Sequence, residues 1–135
     1  LRWKFQTDAE LLSSPVLVDE TVYLGTGDSR FLALDVNTGE VLWARATTGP
    51  LSTSPAVTED NVYIGLRDGQ LWALGRYNGE PQWIIRTDVN ITTSPIVHNG
   101  VLYVGFGDGM LRAFDAENGL ELWSYDTGNS LKIKK

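Results

Sequence analysis

Three aspartates, Asp28, Asp68 and Asp108, recur forty residues apart, and Arg30, Arg67, Arg86 and Asp88 lie near them in the repeat. Carboxylates beside guanidiniums can hold a polar ligand or, with a shifted pKa, exchange protons with a substrate. Turn chemistry accounts for the aspartates as well. Asp68-Gly69 and Asp108-Gly109 are hairpin-turn pairs, and repetition at one phase points to a shared structural need. His98 is the sole histidine, and no cluster of His, Asp or Glu at ligand spacing accompanies it, so it cannot build a metal site alone. Gly105-Phe106-Gly107-Asp108-Gly109 looks like a phosphate-cradling loop, yet it runs into a strand-like segment, leaving no helix N-terminus to meet a phosphate. The chain has no Asp-rich calcium loop. Asn90-Ile91-Thr92 is a glycosylation triplet, with meaning only in a eukaryotic secretory pathway. With zero Cys, a disulfide framework, a thiolate metal site and a Cys nucleophile are all excluded. Every acidic residue has a turn or surface explanation, so no carboxylate pair is nominated for catalysis.

The surrounding composition is that of one globular domain: 135 residues, 42% apolar and 21% charged. Eleven Lys and Arg against 17 Asp and Glu leave a net charge of -6. A surface of that sign repels phosphate backbones and anionic lipid, so nucleic-acid binding is not expected. No run approaches the roughly 18 apolar residues of a spanning helix, and residues 1–20 lack the basic start and apolar centre of a signal peptide. Membrane insertion is not expected either.

What must position any site is a repeat of forty residues, present three times. Ser14-Pro15, Ser54-Pro55 and Ser94-Pro95 are in step, as are Tyr23, Tyr63 and Tyr103, then Ala33, Ala73 and Ala113, and finally Trp43, Trp83 and Trp123. Trp3 lies forty before Trp43, so the chain opens on the end of an earlier unit. Each unit holds four short segments rich in Val, Leu, Tyr, Phe and Trp between dense turn clusters, too short for helices. Consecutive strands on short turns are antiparallel, which makes each unit a four-stranded meander. Val22-Tyr23-Leu24 and Phe31-Leu32-Ala33-Leu34 are apolar at both parities, so both faces of the sheet need cover. That combination predicts an all-β fold, a β-propeller of four-stranded antiparallel blades. The Ser-Pro strand is expected innermost and the Trp strand outermost, where an edge tolerates the missing donor of Pro81.

Ala33, Asp35, Thr38, Gly39 and Trp43 complete an Ala-x-Asp-x-x-Thr-Gly-x-x-x-Trp pattern. This resembles the tryptophan-docking motif of quinoprotein alcohol dehydrogenase propellers and other PQQ-like repeats. Ala113, Asp115, Gly119 and Trp123 keep it, with Asn118 for Thr, whereas Ala73, Gly79 and Trp83 keep it more loosely, with Gly75 for the Asp and Asn78 for the Thr. The family includes enzymes, assembly scaffolds and sensor domains, so the resemblance implies a fold more sharply than a function. Independently of the family, an outer-strand Trp can lie across the seam to the next blade while its N–H finds an acceptor, and a small Ala leaves room for the indole.

Residues 1–7 are expected as the outer strand of a preceding blade, 14–46, 54–87 and 94–126 as three full blades, and 127–135 as a tail. Such a propeller is incomplete, since rings typically have four to eight blades. Both terminal blades are expected to show bare apolar faces, each forfeiting on the order of 12 kcal/mol for about 500 Å² left wet. Self-association or further propeller blades would cover them. The ring end that carries the second-to-third turns and the links between blades is the ligand end in related propellers. There Arg67, Asp68, Arg86, Asp88 and Asp108 are the candidates, against the turn explanation above. The function expected is a non-catalytic binding scaffold or sensor module with a protein partner and no cofactor. The alternative is a segment of a PQQ-dependent quinoprotein dehydrogenase, which the resemblance would furnish with the quinone and calcium. An extracytoplasmic location, periplasmic or cell-surface, follows from the resemblance alone.

Overall fold

The computed structural model describes residues 3–7, 10, 14–51, 53–127 and 133–134. The fold is all-β, an incomplete β-propeller of three antiparallel sheets stacked as blades. The first sheet contains β1 (Val16–Val18), β2 (Thr21–Thr26), β3 (Arg30–Asp35) and β4 (Val41–Ala46). The second contains β5 (Ala56–Val57), β6 (Asn61–Gly65), β7 (Gln70–Gly75) and β8 (Pro81–Arg86). The third contains β9 (Ile96–His98), β10 (Val101–Gly105), β11 (Met110–Asp115) and β12 (Glu121–Asp126), with β13 (Ile133–Lys134) paired outside β12. Strands follow chain order from inner to outer edge in every sheet, and Pro81 opens its outer strand. Among the described residues no helix is long and apolar enough to cross a membrane.

The repeat phases become cross-strand rungs. Val16, Tyr23, Ala33 and Trp43 pair in succession across the first blade, and Ala56, Tyr63, Ala73 and Trp83 do so across the second. Partners on one rung share a face of the sheet. The small Ala therefore lets the flanking rings meet above it, with centroids 6.2 Å apart for Tyr23 and Trp43 and 5.9 Å for Tyr63 and Trp83. Immediately after the Ala, each blade shifts register between its third and fourth strands. Such a bulge increases the local twist of the outer strand.

Both faces of the middle blade are buried. Val62, Ile64, Leu66, Trp72 and Leu74 pack against Tyr23, Phe31 and Ala33 of the first blade. Tyr63, Leu71 and Ala73 pack against Leu102, Val104, Phe106 and Phe114 of the third. The link between blades adds a plug to each seam: Leu51 lies against Gly25, and Ile91 against Gly65, where a Cβ would stand 2.9 Å from an Ile91 methyl. Three expectations change. The outward face of the first blade is not bare, because Trp3 and Phe5 pack onto the Leu24, Leu32 and Leu34 cluster. Residues 3–7 do this without forming a strand, because a ring crossing the seam needs no ladder hydrogen bonds; residues 1–2 of the expected outer strand lie outside the described residues. The expected tail, for its part, includes a short fifth strand at 133–134. On the third blade Tyr103 and Leu111 are half-buried where Tyr23, Tyr63 and Leu71 are buried.

Candidate functional site

The indoles occupy the seams. Nε1 of Trp3 donates to the carbonyl of Val36 at 2.7 Å, that of Trp43 to Arg76 at 2.8 Å, and that of Trp83 to Ala116 at 3.0 Å. Each acceptor belongs to the turn between the third and fourth strands of the following blade. Gly79 sits beneath the Trp43 ring at φ 70°, and a Cβ there would meet the indole at 2.5 Å, so both backbone and space require glycine. Gly39 lies in the same way under Trp3, and Gly119 under Trp83. Asp35 organises its turn by accepting from the amides of Asn37 and Thr38, and Asp115 accepts from Glu117. In the second blade Gly75 leaves room for Asn78 to fold over it, and Asn78 accepts from the Glu80 amide as Thr38 does from Glu40 and Asn118 from Leu120.

At the ring end with the second-to-third turns, the aspartates are spent on those turns. Asp28 accepts from Thr26 Oγ1 and pairs with Arg30 at 3.4 Å; the Thr26 hydrogen bond, more than Arg30, holds its carboxyl below the ordinary range. Asp68 accepts from Thr48 Oγ1 at 2.6 Å and the Gln70 amide, tying the blade link to the turn. Asp108 binds Arg112 at 2.9 Å, and that contact keeps its carboxyl below the ordinary range. Arg67, Arg86 and Asp88 are exposed. His98 is exposed too, next to Asn99 Nδ2 at 3.2 Å.

The opposite end, where the first-to-second and third-to-fourth turns meet, holds the better-formed features. In the first seam Arg76, only 4% exposed, donates from Nε to Tyr23 Oη at 3.0 Å and from Nη2 to Asp19 Oδ2 at 2.9 Å. Its Nη1 reaches the carbonyls of Thr58 and Glu59 at 3.3 and 3.4 Å. Hydrogen bonds to Asp19, then Tyr23, outweigh desolvation and hold the guanidinium in its charged form. In the second seam Ala116 replaces the arginine, and Tyr63 Oη donates to the Ala116 carbonyl at 3.1 Å. An open cleft of about 660 Å³ lies there, walled by Glu59, Asp60, Tyr63, Asn99 and Asp115. Sequence reasoning weighed the other ring end and missed this one. The signal was present at a single phase, which reads Val36, Arg76 and Ala116.

The indoles of Trp3, Trp43 and Trp83 lie over turn glycines, and Trp72, 6% exposed, donates to Gln70 Oε1 at 2.8 Å. Trp123 packs against Tyr103 of its own blade. Among the described residues no three His, Asp or Glu side chains are grouped to hold a metal ion.

A family profile described as outer membrane protein assembly factor BamB matches residues 1–52 and 37–133. No curated protein matches the chain. Among solved structures, BamB from Moraxella catarrhalis superposes with a TM-score of 0.85 at 20% identity, covering 96% of this chain and 42% of that one. Quinohemoprotein alcohol dehydrogenase from Comamonas testosteroni gives 0.75 at 26% identity, over 87% of this chain and 21% of the enzyme. The computationally designed Ika4 protein gives 0.82 at 18% identity, over 93% and 78%. The chain spans less than half of the BamB structure and about a fifth of the dehydrogenase.

Proposed function

Because the chain belongs to the PQQ-like repeat family whose profile is described as outer membrane protein assembly factor BamB, we propose that it is a non-catalytic propeller module that binds a protein partner, as a scaffold or sensor. The observation that carries this reading is the open cleft of about 660 Å³ between the second and third blades. Three of the repeat tryptophans donate across seams to backbone carbonyls and hold the blades together, a use that enzymes and scaffolds of the family share. The cleft, by contrast, is open to a partner. Family membership supports an extracytoplasmic location, periplasmic or cell-surface. Further blades or a second copy would cover the half-buried Tyr103 and Leu111. A dispersed monomer at micromolar concentration in sedimentation would overturn that covering.

The second reading, a segment of a quinoprotein dehydrogenase, is favoured by the 26% identity to the quinohemoprotein enzyme. Adding quinone and calcium decides between them: no change in quinone absorbance or in melting temperature is expected, and a clear shift in either overturns the non-catalytic reading.

A further inference from the structure

The two seams are built from the same phases, and one position separates a filled seam from an open one. Advancing forty residues turns Asp19 into Glu59, Tyr23 into Tyr63 and Arg76 into Ala116. It likewise turns Val18, Thr58 and Glu59, whose carbonyls face the guanidinium, into Thr58, His98 and Asn99. The acceptors recur, but the donor does not. Tyr63 spends its own hydrogen on the Ala116 carbonyl, which leaves its lone pairs as acceptors, approached among the described residues by Asn61 Nδ2 alone, at 3.3 Å. Around it the cleft wall carries four carboxylates, on Glu59, Asp60, Asp115 and Glu117, and no Lys or Arg.

The geometry points to an arginine side chain of a partner polypeptide as the occupant of this cleft, seated between blades two and three as Arg76 is seated between blades one and two. A guanidinium presents five donors in a planar fork, and in the first seam that fork contacts a phenol, a carboxylate and backbone carbonyls on both blades. A lysine offers one compact ammonium and cannot span such a set. Glu59 has one methylene more than Asp19, so its carboxylate reaches further over the opening. The cleft, at about 660 Å³, also admits the backbone flanking the arginine, and the outer carboxylates favour basic neighbours along that segment. This deepens the partner-binding reading and rests on it, yet fails separately. Quinone uptake bears on that reading alone, and arginine uptake bears on this site.

The test is a titration of the isotope-labelled chain with acetyl-Gly-Arg-Gly-amide, followed by amide chemical shifts, beside peptides with citrulline or lysine in place of arginine. Shifts are expected at Glu59, Asn61, Tyr63, Asn99 and Ala116 with the arginine peptide only. Glu59→Gln is expected to weaken binding about tenfold, the loss of one charge-assisted contact. Ala116→Arg supplies the donor in cis, so it is expected to abolish the shifts and raise the melting temperature. Arg76→Ala opens the first seam and is expected to add a second set of shifts around Asp19 and Tyr23. Equal shifts with citrulline or lysine, shifts that survive Ala116→Arg, or no shifts at millimolar peptide would each overturn the assignment. If Ala116→Arg does not fold, undiminished binding by Glu59→Gln overturns it alone.

Discussion

The seam between the first two blades is fastened by two arginines, and among the described residues no arginine crosses the seam between the second and third. Arg76 is buried in the first seam, and Arg45 reaches over it to the Gly79 carbonyl at 2.7 Å and to Glu80 at 3.2 Å. Ala116 and Ile85-Tyr125 occupy the corresponding phases further along. Arg112, though close by, serves its own blade, lying 4.5 Å above the Phe106 ring and paired with Asp108. The apolar packing and the indole bond are common to both seams. Repetition therefore secures the joint, while single substitutions at the turns decide whether a joint is sealed or left open.

The largest effect expected tests the shared part. Trp43→Ala loses the bond to the Arg76 carbonyl and ring contacts with Tyr23 and Phe31, at a cost of about 3–5 kcal/mol in urea denaturation. Trp123 touches Tyr103 within its own blade and has no following blade among the described residues, so Trp123→Ala should cost about half as much. Equal losses would break the link between seam crossing and stability.

Arg76→Ala sharpens the contrast between seams. It strands Tyr23 Oη and removes the donor to the carbonyls of Val18, Thr58 and Glu59, and should cost about 2 kcal/mol by thermal denaturation. Arg45→Ala removes a more exposed pair and should cost under about 1 kcal/mol. A loss at Arg76 no greater than at Arg45 would remove the distinction between a sealing and a surface arginine.

The smallest effect concerns Asp108. Its folded pKa lies below the ordinary 3.8, so its contribution is present above that value and disappears as pH falls through the lower folded one. Asp108→Asn should therefore lower the urea midpoint slightly at neutral pH and match the parent in strong acid. A gap that persists in acid would assign the effect to the turn rather than to the pairing with Arg112.

The blade architecture was legible because period, turn spacing and two-sided apolar strands all constrain it together. The Tyr, Ala and Trp phases fall on one rung, and a single sequence shows that directly. What crosses between units was harder to read. An acceptor for the indole could be expected, but its identity as residue 36, 76 or 116 depends on how far one sheet rotates past the next. The covering of the first blade by Trp3 and Phe5 was likewise hidden, since no strand is needed for two rings to lie on an apolar face. The cleft is not legible in the repeated residues, because it arises at a phase where the repeat is broken by Arg76 and Ala116.

Each indole bond joins residues 33 positions apart, whichever seam it closes. An emerging polypeptide can thus latch every new unit soon after it leaves the ribosome, and the entropy of that loop closure is the same at the first latch as at the last. Lengthening the array adds latches without adding longer searches, so growth by duplication need not slow assembly.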